Sequence, residues 1–171
     1  KEKPLEGIHY LRSADEGIRI HAALTEAKNE NKIVLVIGGR FVGMECLIAG
    51  VKLGLKPIFV VSKPHVMDGL LPQEVAARYE KDLTETGVRF IRGVKVKKLV
   101  GENGKVTQAI FDNGMIQACD CVLVGIGMKP NIAMFGDSLK VDKRNGGLMV
   151  DGYLETSYAG VYAIGEVASF P

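Results

Sequence analysis

The chain has 171 residues, 47% of them hydrophobic, which is enough for the core of an ordinary globular unit. Lys and Arg number 22 against 20 Asp and Glu, and a formal charge of +2 gives no reason to expect nucleic acid or a membrane surface as a partner. The 3 cysteines (Cys46, Cys119 and Cys121) form no C-x-x-C pair and no zinc spacing, which argues against a disulfide-stapled secreted fold and for a reducing intracellular compartment, cytoplasmic or organellar.

After an extended start, "GIHYLR", the Ser13 and Glu16 pair has capping-box spacing and predicts a helix with Ile18, Ala22 and Leu24 as apolar positions. Ile33 to Ile37 is unbroken β-favouring hydrophobe, the pattern of a strand buried on both faces. A glycine turn follows, then a helix from Phe41 to about Leu53 with Gly54 as its stop. Pro57 to Val61 predicts the next buried strand, Gln73 to Thr86 a helix, and "VRFIRG" another strand, so this β-α-β-α-β series should wind into a parallel sheet. From Gly93 the pattern shortens to an antiparallel meander of three strands, with turns at Gly101 to Gly104 and Asp112-Asn113-Gly114. "CDCVLVGIG" returns to the buried type, and "GLMVD" and "GVYAIGEVA" predict two more short strands.

The expected fold class is α/β: a Rossmann-like parallel sheet with helices and a three-stranded antiparallel meander. One compact unit is expected. Within it, residues 1–30 form a lead-in segment and helix, residues 31–127 the dinucleotide-binding core, and residues 128–171 a return segment. No apolar run approaches the roughly 20 residues that span a bilayer, so no membrane partner is expected. The start at Lys1 without methionine and the end at "ASFP" suggest a piece of a longer chain.

"VIGGRFVG" is an incomplete G-x-G-x-x-G between a buried strand and an apolar helix, the setting in which a helix N-terminus holds a dinucleotide pyrophosphate. Gly38 permits the turn and Gly43 the close helix packing. The middle glycine is Arg40, whose side chain either crowds the pyrophosphate or presents a guanidinium to a phosphate. About 20 residues on, where a carboxylate would grip the ribose 2′-hydroxyl, the chain has Val61, Ser62, Lys63, Pro64 and His65. Ser62, Lys63 and His65 are either a 2′-phosphate cluster, favouring NADPH over NADH, or a solvated loop. Glu45 lies in the first turn of the helix by this reading, as a charge favouring the dipole. Cys46 reads as a buried small hydrophobe, and His9 and His21 lack metal-ligand companions, so no metal is expected. No residue stands out as catalytic.

Four pieces, "VIGGRFVGMEC", the meander after "GVRFIRG", "VLVGIGMKPN" and "GVYAIGEVASFP", resemble the pyridine nucleotide-dependent flavoprotein oxidoreductases with two dinucleotide domains. Within that family the monodehydroascorbate reductases are the most similar, and "HVM" at His65 to Met67 looks like them too. The resemblance implies an FAD enzyme that takes hydride from NADPH or NADH and passes single electrons to the monodehydroascorbate radical. It implies that Gly38, Gly39, Arg40, Phe41, Val42 and Gly43 cradle the pyrophosphate and that Glu45 lies near the nicotinamide. Gly125, Ile126 and Gly127 would line the nicotinamide side, followed by Pro130 and Asn131. Gly165 and Glu166 would belong to the FAD half, where the family carries Asp. The family's FAD turn lies upstream of this segment, so the partner is a flavin domain of the same longer chain, FAD is expected only in the full-length protein, and the fragment alone should be inactive. The departures at Arg40, Ser62 to His65 and Glu166 keep a non-catalytic Rossmann module with an assembly or regulatory role as an alternative. A ferredoxin or rubredoxin reductase of the same superfamily is another.

Overall fold

The computed structural model describes residues 4–135 and 137–171. It divides into two compact units, residues 1–127 and Met128–Pro171. The expectation of one compact unit is therefore corrected, because the second segment closes a small core of its own around Leu148, Val150 and Ala163.

In the first unit the elements are β1 (Ile8–Tyr10), α1 (Ala14–Asn29), β2 (Val34–Ile37), α2 (Phe41–Lys52), β3 (Ile58–Val61), α3 (Gln73–Glu85), β4 (Arg89–Arg92), β5 (Val96–Glu102), β6 (Lys105–Phe111), β7 (Ile116–Ala118) and β8 (Cys121–Val124). Five strands form a parallel sheet in the order β1-β8-β2-β3-β4. The opening strand is thus an edge of the central sheet. Strand order reverses direction at β2, with β3 on one side and β8 on the other, and that reversal opens a crevice at the carboxyl ends of these strands.

The unbroken hydrophobic runs are explained by two cores on opposite faces of the sheet. Val34, Val36, Phe59, Val61, Cys121 and Leu123 pack against Leu24 of α1, Leu47 of α2 and Leu83 of α3. Their neighbours Leu35, Ile37, Ile58, Val60 and Val122 pack against Val106, Ala109 and Phe111 of the meander β5-β6-β7. Each large side chain buried this fully contributes about 2 kcal/mol. The helices and the meander are therefore the two covers that let a parallel sheet exclude water.

Several local expectations need adjustment. The Ser13 half of the capping box forms, with Glu16 N–H donating to Ser13 Oγ at 3.3 Å, while the Glu16 carboxylate accepts at 2.9 Å from Arg12 N–H, one residue before the N-cap. The buried stripe of α1 is Ile20, Leu24 and Ala27, while Ile18 is 68% exposed, because the stripe runs from Leu24 by steps of four and three. Gly101 lies inside β5, at a register shift, and the two-residue turn is Asn103-Gly104 with both φ positive. In the second unit "GVYAIGEVA" is no continuous strand. Gly165 takes φ +72 and opens a 3-10 turn, Gly165–Val167, which leaves an isolated antiparallel bridge from Tyr162 to Glu155 before it and, after it, β10 (Ala168–Ser169), which pairs in parallel with β9 (Leu148–Met149). Beside them the Asp142 carboxylate is buried, accepting from Arg144 and from Ser169 Oγ at 2.7 Å, bonds that hold it well below the usual carboxylate range.

Candidate functional site: the glycine turn and the loop after β3

The glycine turn is built from backbone contacts. Gly38 N–H donates to Val60 O at 2.9 Å and Gly125 N–H to Ile37 O at 2.7 Å, which draws the ends of β2, β3 and β8 together. Gly38 has φ +113, and a Cβ there would stand 2.2 Å from Gly125 O. A Cβ on Gly43 would stand 1.7 Å from Gly38 O, and one on Gly125 2.6 Å from Gly43 N. These three glycines bring the start of α2 into backbone contact with two strand ends, and no other residue type fits.

Arg40 occupies the N-cap position of α2 with φ −107 and ψ −167, extended backbone that any residue adopts. The missing middle glycine therefore costs no backbone strain. Arg40 makes no side-chain cap, so the first N–H groups of α2 keep their positive dipole end for an anion. Phe41 is 62% exposed, Val42 is half-buried and Gly43 is buried.

Gly38, Gly39, Arg40, Ser62, Lys63, His65, Gly125 and Ile126 line one cavity of about 370 Å³. Asp68 lines it too, so the carboxylate absent from Val61 to His65 enters from three residues further on. Arg40 and Lys63 belong to no salt bridge among the described residues, which leaves the cavity net positive when His65 is neutral. A second cavity of about 430 Å³ shares Gly38, Ser62 and Ile126. Its apolar lining comes from Ile37, Val60, Val96, Leu99 and Val124, and its rim carries Lys95, Lys97 and Lys98. Sequence reading passed over these meander residues, because a β5 facing pattern says nothing about which sheet edge it overhangs.

The loop after β3 is pinned at two consecutive amides. Met67 N–H donates to Gly39 O at 2.7 Å, and Val66 N–H to Glu80 Oε1 at 2.8 Å. Glu80 sits on α3 and is only 7% exposed. Its Oε2 also accepts from Arg92 Nη2 at 3.0 Å and lies 3.4 Å from His65 Nδ1, while His65 Nε2 is 3.0 Å from Gln73 Nε2. Glu80 is a residue that the sequence motifs do not single out. Its signal was available as a carboxylate in step with Ala76 and Leu83, at the spacing of the buried helix stripe.

Other residues fall elsewhere. Glu45 is the fifth residue of α2, beyond the first turn, and it is exposed in a groove of about 490 Å³ with Leu11, Ile20 and Ala49. Its reading as an N-terminal dipole charge is corrected, since the free N–H groups end before it. Gly127 has φ +95 and open space around it, and it lines neither cavity. Gly165 and Glu166 belong to the second unit, where both are exposed. All three cysteines are free and buried. Burial raises the Cys46 thiol and pushes Cys119 up to about 12 and Cys121 to about 11, so none is a ready nucleophile. His9 is held below its ordinary value by burial, against the opposing charge of Glu26. No group of metal-ligating side chains occurs among the described residues, and none of the described helices is long and apolar enough to cross a membrane.

Relatives with this architecture are numerous. The chain is 35% identical over 168 residues to a monodehydroascorbate reductase of Oryza sativa, covering 98% of this chain and 33% of that protein. It is 34% identical to the monodehydroascorbate reductase of Pisum sativum, over 97% of this chain and 38% of that one. The chain thus spans about a third of the length of the curated relatives it matches. Among solved structures, a ferredoxin reductase from Rhodopseudomonas palustris superposes with TM-score 0.85 at 28% identity, covering 99% of this chain and 41% of that one. An NAD-dependent persulfide reductase from A. fulgidus superposes with TM-score 0.81 at 30% identity, over 96% of this chain and 30% of that one. With the strand reversal, the glycine turn and a match to the family's sequence pattern over residues 3–171, the chain belongs to the pyridine nucleotide-disulphide oxidoreductase family.

Proposed function

We propose that this chain is the NAD(P)H-binding domain of a flavin-dependent reductase resembling monodehydroascorbate reductase, and that it prefers the 2′-phosphorylated dinucleotide. The observation that carries this reading is the convergence of Gly38 to Arg40, Ser62 to Lys63 and Gly125 to Ile126 on one net-positive cavity at the strand reversal. The uncapped start of α2 takes the pyrophosphate, with Arg40 beside it as a second phosphate contact. Lys63 and Ser62 meet the 2′-phosphate, and the apolar cavity under β5 suits the flat adenine ring. Gly125 to Gly127 lie toward the nicotinamide.

The dinucleotide, when bound, supplies hydride to FAD in the longer protein, which then reduces monodehydroascorbate by single electrons. This chain's residues bind, orient and balance phosphate charge; none of them moves a proton. Gly165 and Glu166 serve the flavin half of that longer chain, and Glu45 lies near the nicotinamide on the flavin side. The compartment proposed is a reducing one, organellar or cytoplasmic; the similar proteins include ones described as chloroplastic and peroxisomal.

Calorimetric titration with NADPH, NADH and ADP-ribose tests the reading. Micromolar NADPH binding, about tenfold tighter than NADH, is expected, a difference of about 1.4 kcal/mol. Millimolar or undetectable binding of all three removes it in favour of a non-catalytic module, the role that Arg40 at the middle glycine would then mark. Arg40→Gly should weaken NADPH; tighter binding would show that Arg40 obstructs the site.

A further inference from the structure

We propose that Glu80 is a positioning residue for 2′-phosphate recognition, which draws His65 and Arg92 onto itself and thereby leaves Lys63, with Arg40, to meet the phosphate. The inference rests on the reading of the cavity as a nucleotide site. Its geometry is independent of any ligand.

A carboxylate 7% exposed on the buried stripe of a helix needs partners, and Glu80 takes them all from the loop and from the end of β4. Oε1 holds the Val66 amide at 2.8 Å, and Val66 itself is fully buried. Oε2 holds Arg92, whose guanidinium carbon also lies 4.1 Å from the centre of the Phe90 ring. His65 is engaged at both nitrogens, with Nδ1 facing Glu80 and Nε2 facing the Gln73 amide. A neutral ring donating Nδ1–H to Glu80 and accepting at Nε2 from Gln73 satisfies both contacts. Such a ring has no N–H left for a phosphate.

Three consequences follow for the cavity. The negative charge of Glu80 offsets Arg92, so the back of the loop contributes no net attraction. His65, which sequence reading groups with Ser62 and Lys63 as a phosphate ligand, becomes a latch instead. The segment from Ser62 to His65 is strung between the end of β3 and the pin at Val66, with Pro64 restricting it, so Lys63 starts from a fixed base beside Gly39. Arg40 then faces the same space from the glycine turn, opposed only by Asp68 among the described residues.

The test titrates 2′-phospho-ADP-ribose and ADP-ribose into the 171-residue chain and its Glu80→Ala and Glu80→Gln variants. Glu80→Ala should weaken 2′-phospho-ADP-ribose at least tenfold and ADP-ribose less than twofold. Glu80→Gln keeps an acceptor for the Val66 amide and should recover part of the loss, with the ratio of the two constants still falling at least threefold. An equal loss for both ligands, no loss, or tighter binding of 2′-phospho-ADP-ribose overturns the proposal. If Glu80→Ala does not fold, Glu80→Gln decides alone by the same ratio. If the unaltered chain binds ADP-ribose with no gain from the 2′-phosphate, the Glu80 proposal falls and the nucleotide site stands. If it binds neither, the nucleotide reading falls and takes this proposal with it.

Discussion

The two walls of the candidate cavity are held by opposite means. The glycine turn is backbone against backbone: Gly38, Gly43 and Gly125 meet at distances where any Cβ collides with a peptide group. The loop after β3 is held by side chains, chiefly Glu80 with Gln73 on His65, and by one backbone hydrogen bond that Met67 N–H donates to Gly39 O. The first wall therefore tolerates almost nothing at its glycines, whereas the second can be retuned by changing one carboxylate. On the proposed reading, a site built in this way keeps its phosphate cradle while its preference for the nucleotide's outer groups changes.

Substitutions should expose this contrast by their size. Gly43→Ala places a methyl group 1.7 Å from Gly38 O, and the nearest atoms it meets there are all Gly38 backbone, with no flexible side chain among them to yield. A loss of about 3 kcal/mol, the upper range for overpacking, is expected from urea denaturation; a loss below about 1 kcal/mol would show that the turn can relax. Glu80→Ala should cost less, about 2 kcal/mol, because it orphans the buried Val66 amide but leaves a partly exposed Arg92 that water can serve. Faster hydrogen exchange at Val66, with little change at Leu35 and Val36, would locate that loss in the loop. Arg40→Gly should change stability least, within about 0.5 kcal/mol, since Arg40 is exposed, extended and caps nothing. If it proves strongly destabilising, Arg40 is bonded into the turn and the two walls are less distinct than the geometry indicates.

The same contrast separates what sequence reading reached from what it missed. Strand–turn–helix identity was legible around Gly38 because periodicity and glycine spacing are local properties, and so was the switch to a meander after Gly93. Cys46 was read as a buried apolar residue, and it lies in the helix-side core. Ile18 and Ala22 face solvent on α1, where packing into the helix-side core selects the stripe Ile20, Leu24 and Ala27 instead. Glu45 is the fifth residue of a helix whose start at Phe41 the sequence already gives, so at 3.6 residues per turn it lies just past the first turn. Asp68 was overlooked because the expected position of an acid is a sequence interval, and this loop turns back on itself at Met67, which has φ +53. The sequence places the end of the dinucleotide-binding core at Gly127, yet no linker-like composition there marks it as a break between compact units.

By itself the sequence determined the parallel sheet, the glycine turn and the dinucleotide-binding fold, because buried runs, turn glycines and motif spacing act over a few residues. Tertiary structure alone decided how the cavity's charges are shared. Glu80 is 14 residues from Val66 and 12 from Arg92, and only the packing of α3 against the sheet brings a buried carboxylate to both. Charge, unlike periodicity, takes its meaning from what stands next to it in space. Lys63 and His65 are two residues apart in the chain and line the same cavity, yet one is free of any salt bridge among the described residues while the other is engaged at both ring nitrogens by Glu80 and Gln73.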